Sequence, residues 1–116
     1  MFAQAHRLDR AAFSHAYSHG RKAHFPGLLF VYFPSPELRV AAVVGKKVAK
    51  SAVARNKIRR RLYEALAASN PKNGHIILIA KPAARTYSYA KIEAEVTSGL
   101  AGAKRSKSIG NRAVSR

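Results

Sequence analysis

The spacing of apolar residues changes several times along the chain, and each change marks an element. Phe13, Ala16 and Tyr17 share one helical face, Asp9 can cap that helix over Arg10–His19, and Gly20 can end it. Leu28-Leu-Phe-Val-Tyr-Phe33 is aromatic, β-branched or leucine throughout and predicts a strand, broken by Pro34-Ser-Pro36. A second strand is expected from Leu38 to Val44, with Gly45 at its end. Ser51 is a suitable N-cap for a central helix reaching about Ala68, where Ser69-Asn-Pro71 stops it. His75 to Ala80 is short and almost wholly apolar, as expected of a strand covered on both faces. Ser88 can cap a last helix whose apolar face holds Tyr89, Ile92, Val96 and Leu100. Helices and strands thus alternate without an internal repeat, which predicts one α+β domain with a small sheet over residues 1–100. Residues 101–116 carry basic and serine side chains with little apolar bulk and read as a disordered basic tail.

On a helical wheel at about 100° per residue, the central helix divides sharply. Ala54, Ile58, Leu62, Ala65 and Leu66 form a core stripe. Arg55 and Arg59 lie on one flank, Asn56 and Arg60 near the outward pole, and Lys57 and Arg61 on the other flank. Like charges one turn apart cost an isolated helix a few tenths of a kcal/mol per pair. Cations in the first turns also oppose the helix dipole. An anion laid across the rows would reverse both penalties. Lys46, Lys47 and Lys50 add charge beside the free backbone N–H groups at the helix start. Asn56 differs from its neighbours because its amide both donates and accepts.

Charge makes the case general. The 116 residues hold 22 Lys and Arg against 5 acids, a net +17, and a long polyanion is the partner that relieves such self-repulsion. A membrane surface fits poorly, because no basic segment carries large apolar residues on its opposite face and there is no Trp. Cysteine is absent, so disulfides and thiolate metal sites are excluded. The apolar runs are too short to span a bilayer. Residues Met1–Arg10 lack the order of a signal peptide, and a cytoplasmic protein is expected.

No catalytic constellation is apparent. Glu93 and Glu95, the closest acids, point to different sides of a helix. His15 and His19 stand one turn apart, as in some zinc sites, but no third ligand follows. Neither catalytic nor metal-ligating residues are therefore expected on this chain.

The segment Arg55-Asn56-Lys57-Ile58-Arg59-Arg60, followed by Glu64, resembles the "RNR" helix of the protein subunit of bacterial ribonuclease P. Leu38-Arg39-Val40 and Val43-Val44-Gly45-Lys46-Lys47 are similar to that family's strand and Lys-Lys loop. Phe13, Tyr17 and Gly20 match its first helix, and Ile76 to Ala80 with Lys81-Pro82 match its last strand and exit. The resemblance runs in order from about Leu8 to Leu100. Two positions depart from it: Ala41 stands where the family usually has Gly, and Tyr63 where it usually has a basic residue.

The resemblance implies an αβββαβα fold with a four-stranded sheet, ribosomal-protein-S5-domain-2-like, its extra strand being short and lying in Arg21–His24. It implies a subunit of a ribonucleoprotein endoribonuclease that removes the 5′ leader of precursor tRNA, with Mg²⁺ and the chemistry on the RNA subunit and no cofactor on the protein. The partners implied are ribonuclease P RNA and precursor tRNA, with the free protein a monomer. Lys46, Lys47, Lys50, Arg55, Asn56, Lys57, Arg59, Arg60 and Arg61 would face the catalytic RNA. A cleft between the first helix and the sheet would hold the single-stranded leader. There Phe13, Tyr17, Phe30 and Tyr32 are candidate base platforms, and Arg39 and Lys81 candidate phosphate ligands. Alternation pairs Phe30 with Tyr32 and Val31 with Phe33, and leaves open which pair faces the cleft. A ribosomal protein is the alternative of another class. A DNA-reading helix is disfavoured, since strands flank the central helix on both sides.

Overall fold

The structure is a computed structural model that describes residues 7–109, with side chains described for residues 7–103. Its elements are α1 (Arg10–His19), β1 (Arg21–His24), β2 (Leu28–Phe33), β3 (Leu38–Val43), α2 (Ala52–Ala68), β4 (Gly74–Ala80) and α3 (Tyr89–Ile109). This is the αβββαβα order. A single turn of 3-10 helix over Pro82–Thr86 joins β4 to α3.

Local chemistry sets the ends. Asp9 accepts the Ala12 amide through Oδ1 at 2.8 Å and caps α1. Ser51 accepts the Ala54 amide at 3.0 Å and caps α2. Ser88 accepts the Lys91 amide at 3.2 Å at the start of α3. After α2 the chain turns through Asn70 at φ 54°, a left-handed stop that Asn tolerates, and Pro71 forbids continuation.

The sheet runs β1-β2-β4-β3. β2 is antiparallel to both β1 and β4, while β3 and β4 are parallel and joined through α2. One end of the sheet pairs Leu28 with Ala80 and Val43 with Ile79; the other pairs Phe33 with His75 and Arg39 with His75. The outer edge of β3 is covered by the segment before α1, with the Leu8 amide donating to the Val40 carbonyl at 3.0 Å.

Helices cover both faces. Leu28, Phe30, Tyr32, Val40, Ala42, Ile76 and Leu78 pack against Ile58, Leu62, Ala65 and Leu66 of α2 and Ile92, Val96 and Leu100 of α3. On the opposite face Leu29, Val31 and Ile77 pack against Ala16 of α1, with Phe13, Phe33 and Ile79 around them. The wheel's stripe on α2 is the buried stripe: Ile58, Leu62, Ala65 and Leu66 are buried and Ala54 packs at its margin.

Two expectations are corrected. Phe30 and Tyr32 are 1 % and 3 % exposed and belong to the core under α2 and α3. Tyr32 is wedged against Gly74, whose φ is +101° and where an added Cβ would meet the ring at 2.3 Å. These two residues are core, and Val31 and Phe33 take the α1 face. Helix α3 also runs into the segment expected, from Ala101, to be a tail. α3 continues to Ile109, because Ala103 extends its apolar face and is buried. Residues 110–116 of that expected tail lie outside the described residues.

Candidate nucleic-acid interface

The polar rows of α2 point outward as a group. Asn56, Lys57 and Arg60 are exposed and Arg55, Arg59 and Arg61 half-exposed. Among the described residues, none of these cations is paired with an acid; an ion pair forms elsewhere, between Arg39 and Glu37 at 3.0 Å. No acid occupies the first turn. Arg59 donates through Nη1 to Asn56 Oδ1, which leaves the Asn56 amide nitrogen as the donor it can offer outward.

Arg55 has a second task. Its Nη1 donates to the carbonyls of Ala49 at 3.1 Å and Lys50 at 2.7 Å. The loop before α2 turns tightly, with the Val48 amide on the Gly45 carbonyl at 3.1 Å, and buries Val48 and Ala49. Lys46, Lys47 and Lys50 are thereby held exposed beside the helix start. Sequence spacing gave Arg55 only an anion to hold, whereas the fold makes it the brace of the lysine loop.

The α1 candidates fare differently from those on β2. Phe13 and Tyr17 stack with ring centroids 6.4 Å apart and planes 6° from parallel. Tyr17 is 42 % exposed and Lys22 lies over its ring at 4.8 Å. Phe13 is half-buried against the sheet. Arg39 and Lys81 are not brought together: Arg39 aligns with His75 near the start of β4, whereas Lys81 follows its end. Lys81 Nζ instead donates to His24 Nδ1 at 3.3 Å. Lys22 and His24 therefore join the Tyr17 side of the interface. Sequence reasoning missed both, because the basic character of β1 also suits an edge strand protected from pairing.

Tyr63 is accounted for. Its hydroxyl accepts the Ala42 amide at 3.1 Å on the outer edge of β3, and the Arg7 guanidinium sits 5.8 Å from its ring centroid. The aromatic side chain ties α2 to the sheet where a basic one would reach outward.

The acids do structural work. Glu95 accepts the Gly27 amide at 3.1 Å and the Tyr87 hydroxyl at 2.9 Å, joining α3 to the β1–β2 turn. Burial, and then this hydrogen bond, raise the Tyr87 pKa. Among the described residues no group of three His, Asp or Glu side chains is placed to hold a metal ion. No described helix is long and apolar enough to cross a membrane.

A family model described as ribonuclease P matches residues 2–104. A ribonuclease P protein component of a Synechococcus species is 38 % identical over 106 residues, covering 83 % of this chain and 80 % of that protein. That of Thermus brockianus is 45 % identical over 69 residues, 60 % of this chain, which spans only 42 % of that longer relative. A solved Staphylococcus aureus RNase P protein, a mutant defective in mRNA degradation activity, superposes with a TM-score of 0.77 at 26 % identity. The match covers 87 % of this chain and 90 % of that one. The Thermotoga maritima RNase P protein, at 20 % identity and a TM-score of 0.68, shares the fold.

Proposed function

The chain belongs to the ribonuclease P protein family, and on that premise we propose that it is the protein component of a tRNA-processing ribonucleoprotein. In this reading it assists an RNA subunit in the Mg²⁺-dependent removal of the 5′ leader from precursor tRNA. The protein acts in the cytoplasm as a monomer within the complex and contributes no catalytic residue.

The observation that carries the reading is the uncompensated cationic surface of α2, continuous with a lysine loop that Arg55 braces. Lys46, Lys47, Lys50, Arg55, Asn56, Lys57, Arg59, Arg60 and Arg61 make this surface, and it suits the phosphates of a folded RNA. Asn56 and Arg59 act as a pair, the guanidinium orienting the amide toward a phosphate or ribose hydroxyl.

The stacked Phe13 and Tyr17 suit a single strand, whose bases lie on aromatic rings while its backbone follows basic groups. Lys22 and Lys81 stand on that side and take the leader phosphates. Phe30 and Tyr32 contribute only by shaping the sheet beneath.

Reconstitution tests the reading. The protein is mixed with a bacterial ribonuclease P RNA and precursor tRNA at a Mg²⁺ concentration too low for the RNA alone. Faster release of the leader is expected; an unchanged rate across protein concentrations would sink the proposal.

A further inference from the structure

Strand β1 has little of its own to hold it. It lies at the edge of the sheet and is four residues long. Arg21, Lys22 and His24 are exposed, and Ala23 packs against the core. Lys22 and His24 align with Val31 and Leu29 of β2, so both fall on the α1 face. Lys81 Nζ joins them by donating to His24 Nδ1 at 3.3 Å. The turn into β2 does not fix β1 either. The Phe25 amide donates to the Leu28 carbonyl at 2.8 Å, which leaves Pro26 and Gly27 as the two turn residues. Proline holds φ at about −65°, whereas the primed turns that match a hairpin's twist need a positive φ at that first position. Two-residue turns of the other types splay the strands they join.

Gly27 is held instead from outside the hairpin. Its carbonyl accepts the Lys81 amide at 2.9 Å, and its amide donates to Glu95 Oε1 at 3.1 Å. Glu95 Oε2 accepts the Tyr87 hydroxyl at 2.9 Å. The Tyr87 ring lies on Gly27, where an added Cβ would meet it at 2.3 Å, and Lys91 Nζ stands 4.9 Å from the ring centroid. Glu95 belongs to α3, which covers the sheet face opposite α1. One of the chain's five acids thus spends both oxygens where the β1–β2 turn, the exit of β4 and α3 meet. Both bonds have an ionised acceptor and are stronger than neutral ones.

We propose that Glu95 and Tyr87 are positioning residues for the leader. They touch no RNA themselves. Through Gly27 they set, from the α3 side, where Lys22, His24 and Lys81 stand on the opposite face. This role presupposes the proposed function, in which Lys22 and Lys81 take the leader phosphates. Cations held in place before the strand arrives lose less freedom on binding it, so preorganisation raises affinity without adding a contact. With the clasp open, Lys22 and Lys81 keep their charge, but the leader itself has to order them.

The test uses the holoenzyme reconstituted from the full chain and a bacterial ribonuclease P RNA. KM and kcat are measured for precursor tRNA, with mature tRNA as a competitive inhibitor. Glu95→Ala should raise KM roughly fivefold, the cost of ordering one or two long side chains. It should leave kcat and the inhibition constant of mature tRNA unchanged, because only binding of the leader is lost. Glu95→Gln should restore the wild-type KM, since its amide oxygen can accept the Gly27 amide while its nitrogen donates to the Tyr87 hydroxyl. Tyr87→Phe keeps the ring on Gly27 and loses one bond; it should raise KM about twofold and serves where Glu95→Ala does not fold. In Glu95→Ala/Lys81→Ala the two effects on KM should not multiply, because Lys81 is a contact that Glu95 places. Effects that multiply overturn the positioning role, and so does a wild-type KM in both Glu95→Ala and Tyr87→Phe; either leaves the proposed function standing. An inhibition constant of mature tRNA that rises as far as KM overturns it too, since that marks a general loss of folded protein. A wild-type holoenzyme that cleaves no faster than the RNA alone overturns both.

Discussion

The Tyr63 hydroxyl accepts the Ala42 amide at 3.1 Å, so one side chain of α2 closes a backbone donor on the outer edge of β3. This bond ties α2, which carries the Arg59–Asn56 pair, to the edge of the sheet. Tyr63→Phe should lower stability by about 1 kcal/mol, the worth of a typical hydrogen bond, read from a urea midpoint at unchanged slope. Tyr63→Arg adds a cation to the last turns of α2. It should lose similar stability but bind ribonuclease P RNA more tightly, as measured by filter binding at moderate salt. Full stability in Tyr63→Phe would show that the bond does not hold α2.

Arg55 and Arg60 should separate in a salt titration. Arg60→Ala should lower the slope of log affinity against log salt by about 0.7–0.9, the effect of one lost phosphate contact. Arg55→Ala should lose more affinity than a single contact explains, because the Ala49 and Lys50 carbonyls lose their donor and the lysine loop loosens. Equal effects of the two variants would mean that the brace has no role in binding.

The two aromatic pairs offer a direct contrast. Phe30→Ala empties a fully buried site and should cost about 3–5 kcal/mol of stability. Tyr17→Ala removes an exposed ring and should leave the melting temperature nearly unchanged. It should instead weaken binding of a leader-bearing precursor tRNA, with little effect on mature tRNA. A melting temperature that falls as far in Tyr17→Ala as in Phe30→Ala would return Tyr17 to the core.

Stability should fall on acidification below neutrality. The His75 pKa is lowered in the folded protein, by burial first and by Arg39 second. The unfolded chain then binds more protons between the folded value and about 6.5, so stability rises with pH in that window and is lost as pH falls through it. His75→Gln should flatten this dependence in urea titrations at pH 5 and pH 7. An undiminished pH effect would place its origin in other groups.

Much of the fold was legible because its signals are local. Asp9, Ser51 and Ser88 cap the helices they stand before, and Asn70 and Pro71 end α2. The stripe on α2 needed only the helical period, and its cationic rows only the remaining angles. Even the brief strand at Arg21–His24, implied by family resemblance alone, is present.

What stayed hidden depends on neighbours distant in sequence. Leu28–Phe33 is apolar on both faces, so period-2 alternation has no polar side to orient it. Only the packing of α1 on one face and of α2 and α3 on the other decides that Phe30 and Tyr32 are core. The partner of Tyr63 is an amide on a strand edge, and no spacing within α2 announces it. The clasp of Glu95 on Gly27 and Tyr87 likewise exists only where α3 passes the β1–β2 turn. Composition and period determined which segments fold and where the charge lies. Tertiary packing decided which aromatic rings reach the surface, because a face becomes inner or outer only when a second layer covers it.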